Sequence, residues 1–343
     1  MAALHDRPSS VIAVATAVVG ALVALVLGLL TFGVQATVHP DAVPLAVAVD
    51  AEAPPPLRGV ADKLAGSATA EVSWRVATPD EARDLLSRQE VYGVLELAPD
   101  GATVVLSGAV NPSGTQVAQQ VLSGVAQGAG MRAGTVTLNP SSAAGRTAPL
   151  AATALLWIAG LVAGAAFTLA ARKATALGRL AGVVTTTVLG VAVVAGLFAL
   201  WDSSLPLTAG VLGYLALVGA AFALVQGALL RLLGIRAMAV LGPLYLMAPA
   251  VAGQVPELID PVYRTLLWSW TPFRFSTEGL RVLLHSGSLD TAQVWVFAGL
   301  AAAGLAVLLL PGKKGEPDLA DGVVDVGVDQ ADGLPGAQRQ HTA

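Results

Sequence analysis

VIAVATAVVGALVALVLGLLTFGV, Val11–Val34, carries no charged side chain from end to end. A helix needs about 20 apolar residues to cross the hydrocarbon core of a bilayer, so this stretch can anchor the chain unaided. Arg7 ahead of it and Val34-Gln35-Ala36 behind it resemble the flanks of a secretory signal. The apolar core of a signal peptide is only roughly 7–15 residues, however, and the longer run here reads as a retained anchor. Five more apolar stretches follow, at Leu150–Ala171, Leu180–Leu200, Leu207–Leu230, Ala237–Val251 and Val294–Leu310. The fifth of the six is short and interrupted by Gly242-Pro243.

One stretch, a long polar interval and then five stretches predict an α-helical multi-pass membrane protein. Six transmembrane helices are expected in a 1+5 arrangement, with an inserted extracytoplasmic α/β domain. Composition agrees: the 343 residues are 55% hydrophobic and 12% charged, with mean hydropathy +0.70, values foreign to a water-soluble domain of this size. There is no cysteine, which removes disulfides, iron–sulfur clusters, thiolate zinc and cysteine nucleophiles. The histidines, His5, His39, His285 and His341, stand singly without ligand spacing, so no metal site is expected.

Positive charge predicts the orientation. Arg7, the group Arg172, Lys173 and Arg179, the pair Arg231 and Arg236, and Lys313-Lys314 share one side if every stretch crosses. The opposite link, Trp201-Asp202-Ser203-Ser204, has no basic residue. Both termini are therefore expected in the cytoplasm of a cell limited by this plasma membrane, with the large domain outside. The expected division is a cytoplasmic N-terminus (1–10), a first span (11–36), the outer domain (37–147), a five-helix domain (148–311) and an acidic tail (312–343). Arg264, Arg274 and Arg281 oppose the charge trend and fall in a segment, 255–287, that is amphipathic rather than spanning. Trp268, Trp270, Phe273 and Phe275 make it an aromatic cluster suited to the headgroup level, where the three arginines would meet lipid phosphates. It reads as an outer-face hairpin of short helices, either a gate or a lid closing the bundle.

Within 37–147, Pro44–Asp50 reads as a strand, Leu57–Ala68 as a helix with Val60 and Leu64 on one face, and Glu71–Ala77 as a half-buried strand. Thr78-Pro79-Asp80-Glu81 is a helix start, with a threonine cap, proline in the first turn and acids beside the helix dipole. Val91–Asp100 and Ala102–Ala109 read as strands joined by a tight turn at Asp100-Gly101. Asn111-Pro112-Ser113 opens a long helix towards Met131, expected to lead back to the membrane.

These elements, and PDEARDLLSRQEVYGVLELAPDG with NPSGTQVAQQVLSGVA in particular, resemble the periplasmic domain of ABC type-2 transporter permeases, closest to the YhgE/Pip (phage infection protein) branch. Glu81-Ala82, Leu85-Leu86, Tyr92-Gly93 and Leu95 through Pro99 occupy the family's pattern. A second similarity lies in Val255–Gly287, at Pro256, Pro261, Pro272, Gly279-Leu280-Arg281 and Gly287. The resemblance implies a homodimeric export permease for an amphipathic or envelope-related substrate, powered by a separate ATP-binding subunit. It equally admits a non-transporting envelope protein whose outer domain binds a partner, a polymer or a phage. The link Ala171–Arg179 departs from the family, being short and basic where such permeases carry an acidic coupling segment.

No catalytic constellation is legible. Pro311-Gly312-Lys313-Lys314 lacks the upstream glycine and the hydroxyl residue of a phosphate-binding loop. Glu257 with Asp260, and Glu278 with Arg281, read as pairs on helix surfaces. Neither an enzyme, a cofactor nor a nucleic-acid partner is expected; the lipid bilayer is. Candidates for a translocation path or gate are Gln226, Gly242, Pro243, Trp268, Trp270 and Arg281. Gln226 is either a polar path residue or an interhelical hydrogen bond. Gly242-Pro243 and Pro249 either bend a moving helix or kink a packing one. Thr185-Thr186-Thr187 bond their own helix backbone. Trp74 and Tyr92 read as core, and the aspartate-rich tail as disordered.

Overall fold

The computed structural model describes residues 9–67, 69–171, 174–285, 289 and 291–310. Arg7, Arg172, Lys173, Gly287, Lys313-Lys314, the isolated His5 and His341 and the tail 312–343 lie outside the described residues.

Helix α1 (Ser9–Ala36) precedes the sheet, and α5 (Ala143–Ala170), α6 (Ala176–Trp201), α7 (Ala209–Leu233), α8 (Met238–Ala252), α10 (Pro272–His285) and α11 (Thr291–Leu309) follow it. Between α8 and α10 the chain makes the 3₁₀ turn Pro256–Leu258, the single turn α9 (Pro261–Tyr263) and the π-turn Arg264–Trp268. Five helical runs are long and apolar enough to cross a membrane: Ala17–Ala36, Ala143–Ala170, Ala176–Trp201, Ala209–Ala252 and Thr291–Leu309. They mark a membrane protein.

Five runs stand where the sequence predicts six stretches, because α7 and α8 follow one another through the 3₁₀ turn Gly234–Ala237. With 15 residues, α8 is only about 22 Å long against a hydrocarbon core of about 30 Å. The expected interruption at Gly242-Pro243 is absent, since α8 runs through both Pro243 and Pro249. A proline inside a membrane helix removes one backbone donor, which neighbouring helices compensate. The break comes earlier, at Gly234, whose φ of +60° only glycine adopts without strain.

Each of α5, α6 and α7 starts on a hydroxyl cap. Ser142, Thr175 and Thr208 accept from the N–H groups of Gly145, Gly178 and Val211, satisfying a donor that apolar surroundings would otherwise orphan. Ser142 Oγ also donates to Asp202, just past the end of α6, so the same cap latches α6 to α5 and holds the Asp202 carboxyl below its usual range. The first helix joins the rest through its last turns, where Leu30 and Val34 meet Met247, Val251, Ile259 and Leu267. Gly33 permits this approach: a Cβ there would stand 2.0 Å from the Tyr263 hydroxyl, which donates to Leu29 O at 3.1 Å.

The five-stranded sheet has the order β2-β1-β3-β4-β5, from β1 (Val43–Val49), β2 (Val72–Ala77), β3 (Val94–Ala98), β4 (Gly101–Ser107) and β5 (Ala133–Leu138). Strand β1, inside the sheet, is parallel to β2 and β3, and β4 is antiparallel to β3 and parallel to β5. Leu45 through Val49 are all buried, as a strand covered on both faces requires. Helices α2 (Pro55–Gly66), α3 (Pro79–Ser87) and α4 (Pro112–Gly128) provide the cover. The β3–β4 pair Ala98↔Gly101 puts Pro99-Asp100 in the turn, one residue before the expected Asp100-Gly101.

Two local expectations need correction. Thr78 has extended geometry ahead of α3, yet its side chain makes no capping bond. The chain also does not run from α4 straight to the membrane. After Gly130 (φ +68°) it adds β5, whose AGTVTL is exposed almost throughout and so lacks the one-sided alternation that betrays a strand.

Candidate functional site

Segment 255–287 contains α10, one face of which packs into the helical bundle. In PFRFSTEGLRVLLH the residues Phe273, Ser276, Thr277, Leu280 and Leu284 recur at helical spacing and are buried among α5, α7, α8 and α11. Phe273 meets the Trp157 ring edge-on at 4.8 Å, and Trp157 meets Phe222 at 5.0 Å. Beside this aromatic centre, Thr153 Oγ1 donates to Pro149 O at 2.9 Å and so accepts from Ser276 Oγ at 2.8 Å. Tyr214 donates to Phe275 O at 2.8 Å. The inward face of α10 thus combines Phe273, Leu280 and Leu284 with the partnered hydroxyls of Ser276 and Thr277.

Two of the three arginines pair with carboxylates of the chain and the third is buried. Arg264 pairs with Asp41 at 3.0 Å. The Arg274 guanidinium lies 3.8 Å from the ring centres of both Trp268 and Phe275 and 3.7 Å from Glu278. Arg281 is 4% exposed. The surface-pair readings are corrected with them. Glu257 accepts from the Tyr92 hydroxyl at 2.6 Å, Asp260 caps α9 through Val262 N, and the carboxylate of Glu278 pairs with Arg274.

Of the remaining candidates, Gln226 is fully buried and its Nε2 donates to Trp157 O at 3.0 Å, an interhelical bond between α7 and α5. Gly242 and Pro243 are part-exposed within α8, Trp268 is half-buried under Arg274, and Trp270 is 54% exposed. Trp157 joins Gln226 to α10, whereas Gly242, Pro243 and Trp270 form no common site with them. Trp157 itself was missed, because one tryptophan in an apolar stretch has no signal of its own.

A second set of contacts bolts this region to the sheet. Val255 and Leu258 are buried in the hydrophobic core that β1, β3 and α3 also share. Asp41 N donates to Glu257 O at 2.8 Å, adding a backbone tie to the Tyr92–Glu257 and Arg264–Asp41 contacts. Burial foremost, then the negative Glu257, pushes the Tyr92 phenol well above its ordinary range.

At the other end of the bundle, α5, α6 and α7 part around a cavity of about 530 Å³. It extends from Gly160 and Ala223 in the bundle interior to Ala171, Arg179, Arg231 and Gly234 at the helix ends. Small residues open it, among them Gly164, Gly182 and Gly227, and no acidic residue lines it. Thr185 and Thr186 face it, while Thr187 donates to Val183 O as expected of a threonine in a membrane helix. No family model matches the chain, and no curated protein or solved structure does.

Proposed function

We propose that this protein is the membrane-spanning part of an export system of the ABC type-2 permease kind, nearest the YhgE/Pip branch, driven by a separately encoded ATPase. The observation that carries the reading is the rigid linkage from sheet to bundle centre. Tyr92–Glu257, Asp41–Arg264 and the shared Val255–Leu258 core tie the sheet to a segment that continues directly into α10, the buried helix with Arg274, Glu278 and Arg281. A shift of the domain would therefore be felt at the middle of the bundle, as a gate requires.

In this reading α8, lengthened by the turns Gly234–Ala237 and Pro256–Leu258 at its two ends, makes a sixth crossing. Arg231, near the start of the α7–α8 link, touches the last carbonyls of α11, and Glu257, just beyond α8, touches the sheet. The polypeptide thus returns from one end of the bundle to the other over α8. Arg179, Arg231 and Arg236 then sit at the end away from the sheet, which the charge rule assigns to the cytoplasm. The domain is extracytoplasmic, and a second copy meets the exposed flank of α1, where Val18, Leu22 and Leu25 are all more than half exposed.

One observation favours a different class. At the end that the charge rule assigns to the cytoplasm the helices are joined by little chain, with α6 starting at Ala176 soon after α5 ends at Ala170 and only a 3₁₀ turn joining α7 to α8. That leaves scant surface for an ATPase, and suits an envelope protein whose outer domain binds a partner, a polymer or a phage. Affinity purification of the full chain from gently solubilised membranes separates the two. Recovery of an ATP-binding subunit in stoichiometric amount is expected for the permease, and its absence sinks that reading. Orientation is tested separately, since the chain has no cysteine of its own. A Glu71→Cys variant should react with impermeant maleimide on intact cells and an Ala176→Cys variant should not.

A further inference from the structure

We infer that the cavity between α5, α6 and α7 holds one acyl chain of an anionic phospholipid, with the lipid phosphate beside Arg179 and Arg231. Its volume of about 530 Å³ lies within the range of small-molecule sites, and its lining is apolar apart from threonine hydroxyls and the two arginines. From Gly160 to Ala171 along α5 is about 16 Å, a slot shaped for a chain rather than a compact solute. A mainly apolar slot of this size between membrane helices is filled by what surrounds it, and what surrounds it is lipid.

The mouth selects the headgroup. Arg179 Nε donates to Ala174 O at 3.3 Å, which holds the guanidinium at the start of α6, and among the described residues no carboxylate pairs with it. Arg231 donates through Nη1 to Val307 O at 2.8 Å and to Leu308 O, so part of its charge serves the carbonyl end of α11. Arg179 is therefore the principal partner of a phosphate that carries net negative charge. Basic pockets between membrane helices favour such headgroups over zwitterionic ones. The inference rests on the helices lying in a bilayer and is independent of whether the protein transports anything.

The test is native mass spectrometry of the purified full chain in neutral detergent, offered equal amounts of phosphatidylglycerol and phosphatidylcholine of the same chain length. The wild-type protein should retain phosphatidylglycerol preferentially, by roughly fivefold or more, the effect expected of one basic residue near an anionic headgroup. Arg179→Gln should lose that preference while Arg179→Lys keeps it. Gly182→Leu should weaken retention of both lipids, because a Cβ at Gly182 meets only the Phe167 ring, at 3.8 Å, and the rest of the side chain enters the slot. Inorganic phosphate should displace neither lipid. Equal retention of the two lipids by the wild type, an unchanged preference in Arg179→Gln, or wild-type retention by Gly182→Leu overturns the inference. Circular dichroism confirms that each variant is folded, and the Gln/Lys pair at position 179 carries the test if Gly182→Leu is not.

Discussion

Tyr92 shows how one atom joins two parts of the chain. Its ring is packed in the sheet's core, and its hydroxyl reaches Glu257, 165 positions further on. Tyr92→Phe removes a hydrogen bond to a charged group and is expected to cost about 2 kcal/mol, read from thermal melting of the detergent-solubilised protein. The effect depends on pH in a defined sense. The unfolded phenol gives up its proton near its ordinary value of 10, whereas the folded one keeps it. The contribution is complete below pH 10 and erodes as pH rises beyond it. Melting between about pH 8 and about pH 11 should therefore fall less steeply in the Phe variant. Gln226 makes a quieter prediction. Its bond to Trp157 O is of a kind worth about 0.6 kcal/mol on average, so Gln226→Leu should shift stability by no more than about 1 kcal/mol. Unaltered export in that variant would remove Gln226 from any path.

Between elements, close approach of backbones governs the bundle. At Gly304 of α11 an added Cβ would stand 2.7 Å from the Leu224 carbonyl carbon and 2.9 Å from its oxygen, atoms of the α7 backbone that cannot rotate aside. Gly304→Val should push α11 from α7 and cost about 1–3 kcal/mol in detergent melting, with no comparable loss for Gly299→Val, where a Cβ meets nothing within 4 Å. Much of this level was legible from composition. The spans announce themselves because every residue in them must suit lipid or a neighbouring helix, whereas the caps at Ser142, Thr175 and Thr208 came only with the folded structure. The amphipathic pattern over Pro272–His285 reports that one face is buried without saying in what. Membrane interface and bundle interior look the same to it.

Across the chain as assembled, the sheet and the bundle share a core. Leu258 is 2% exposed among residues of β1, β3 and α3. Leu258→Ala should cost about 2–5 kcal/mol and hasten limited proteolysis within 37–141, because the domain loses both a filler and its mooring. If proteolysis of that region is unchanged, the proposed linkage from domain to gate loses its footing.

Residue order was enough to locate the apolar helices, four of the five strands and the absence of any thiol chemistry, since each depends on neighbours along the chain: the run length of apolar residues, alternation, a turn, a cap. Contacts between remote segments were decided by folding alone. That Glu257 belongs to Tyr92, that Gln226 belongs to Trp157, and that small residues on three helices leave a slot ending on Arg179 are facts of packing. Periodicity carries no trace of them, because burial tells a side chain that it has partners and three-dimensional closure chooses which.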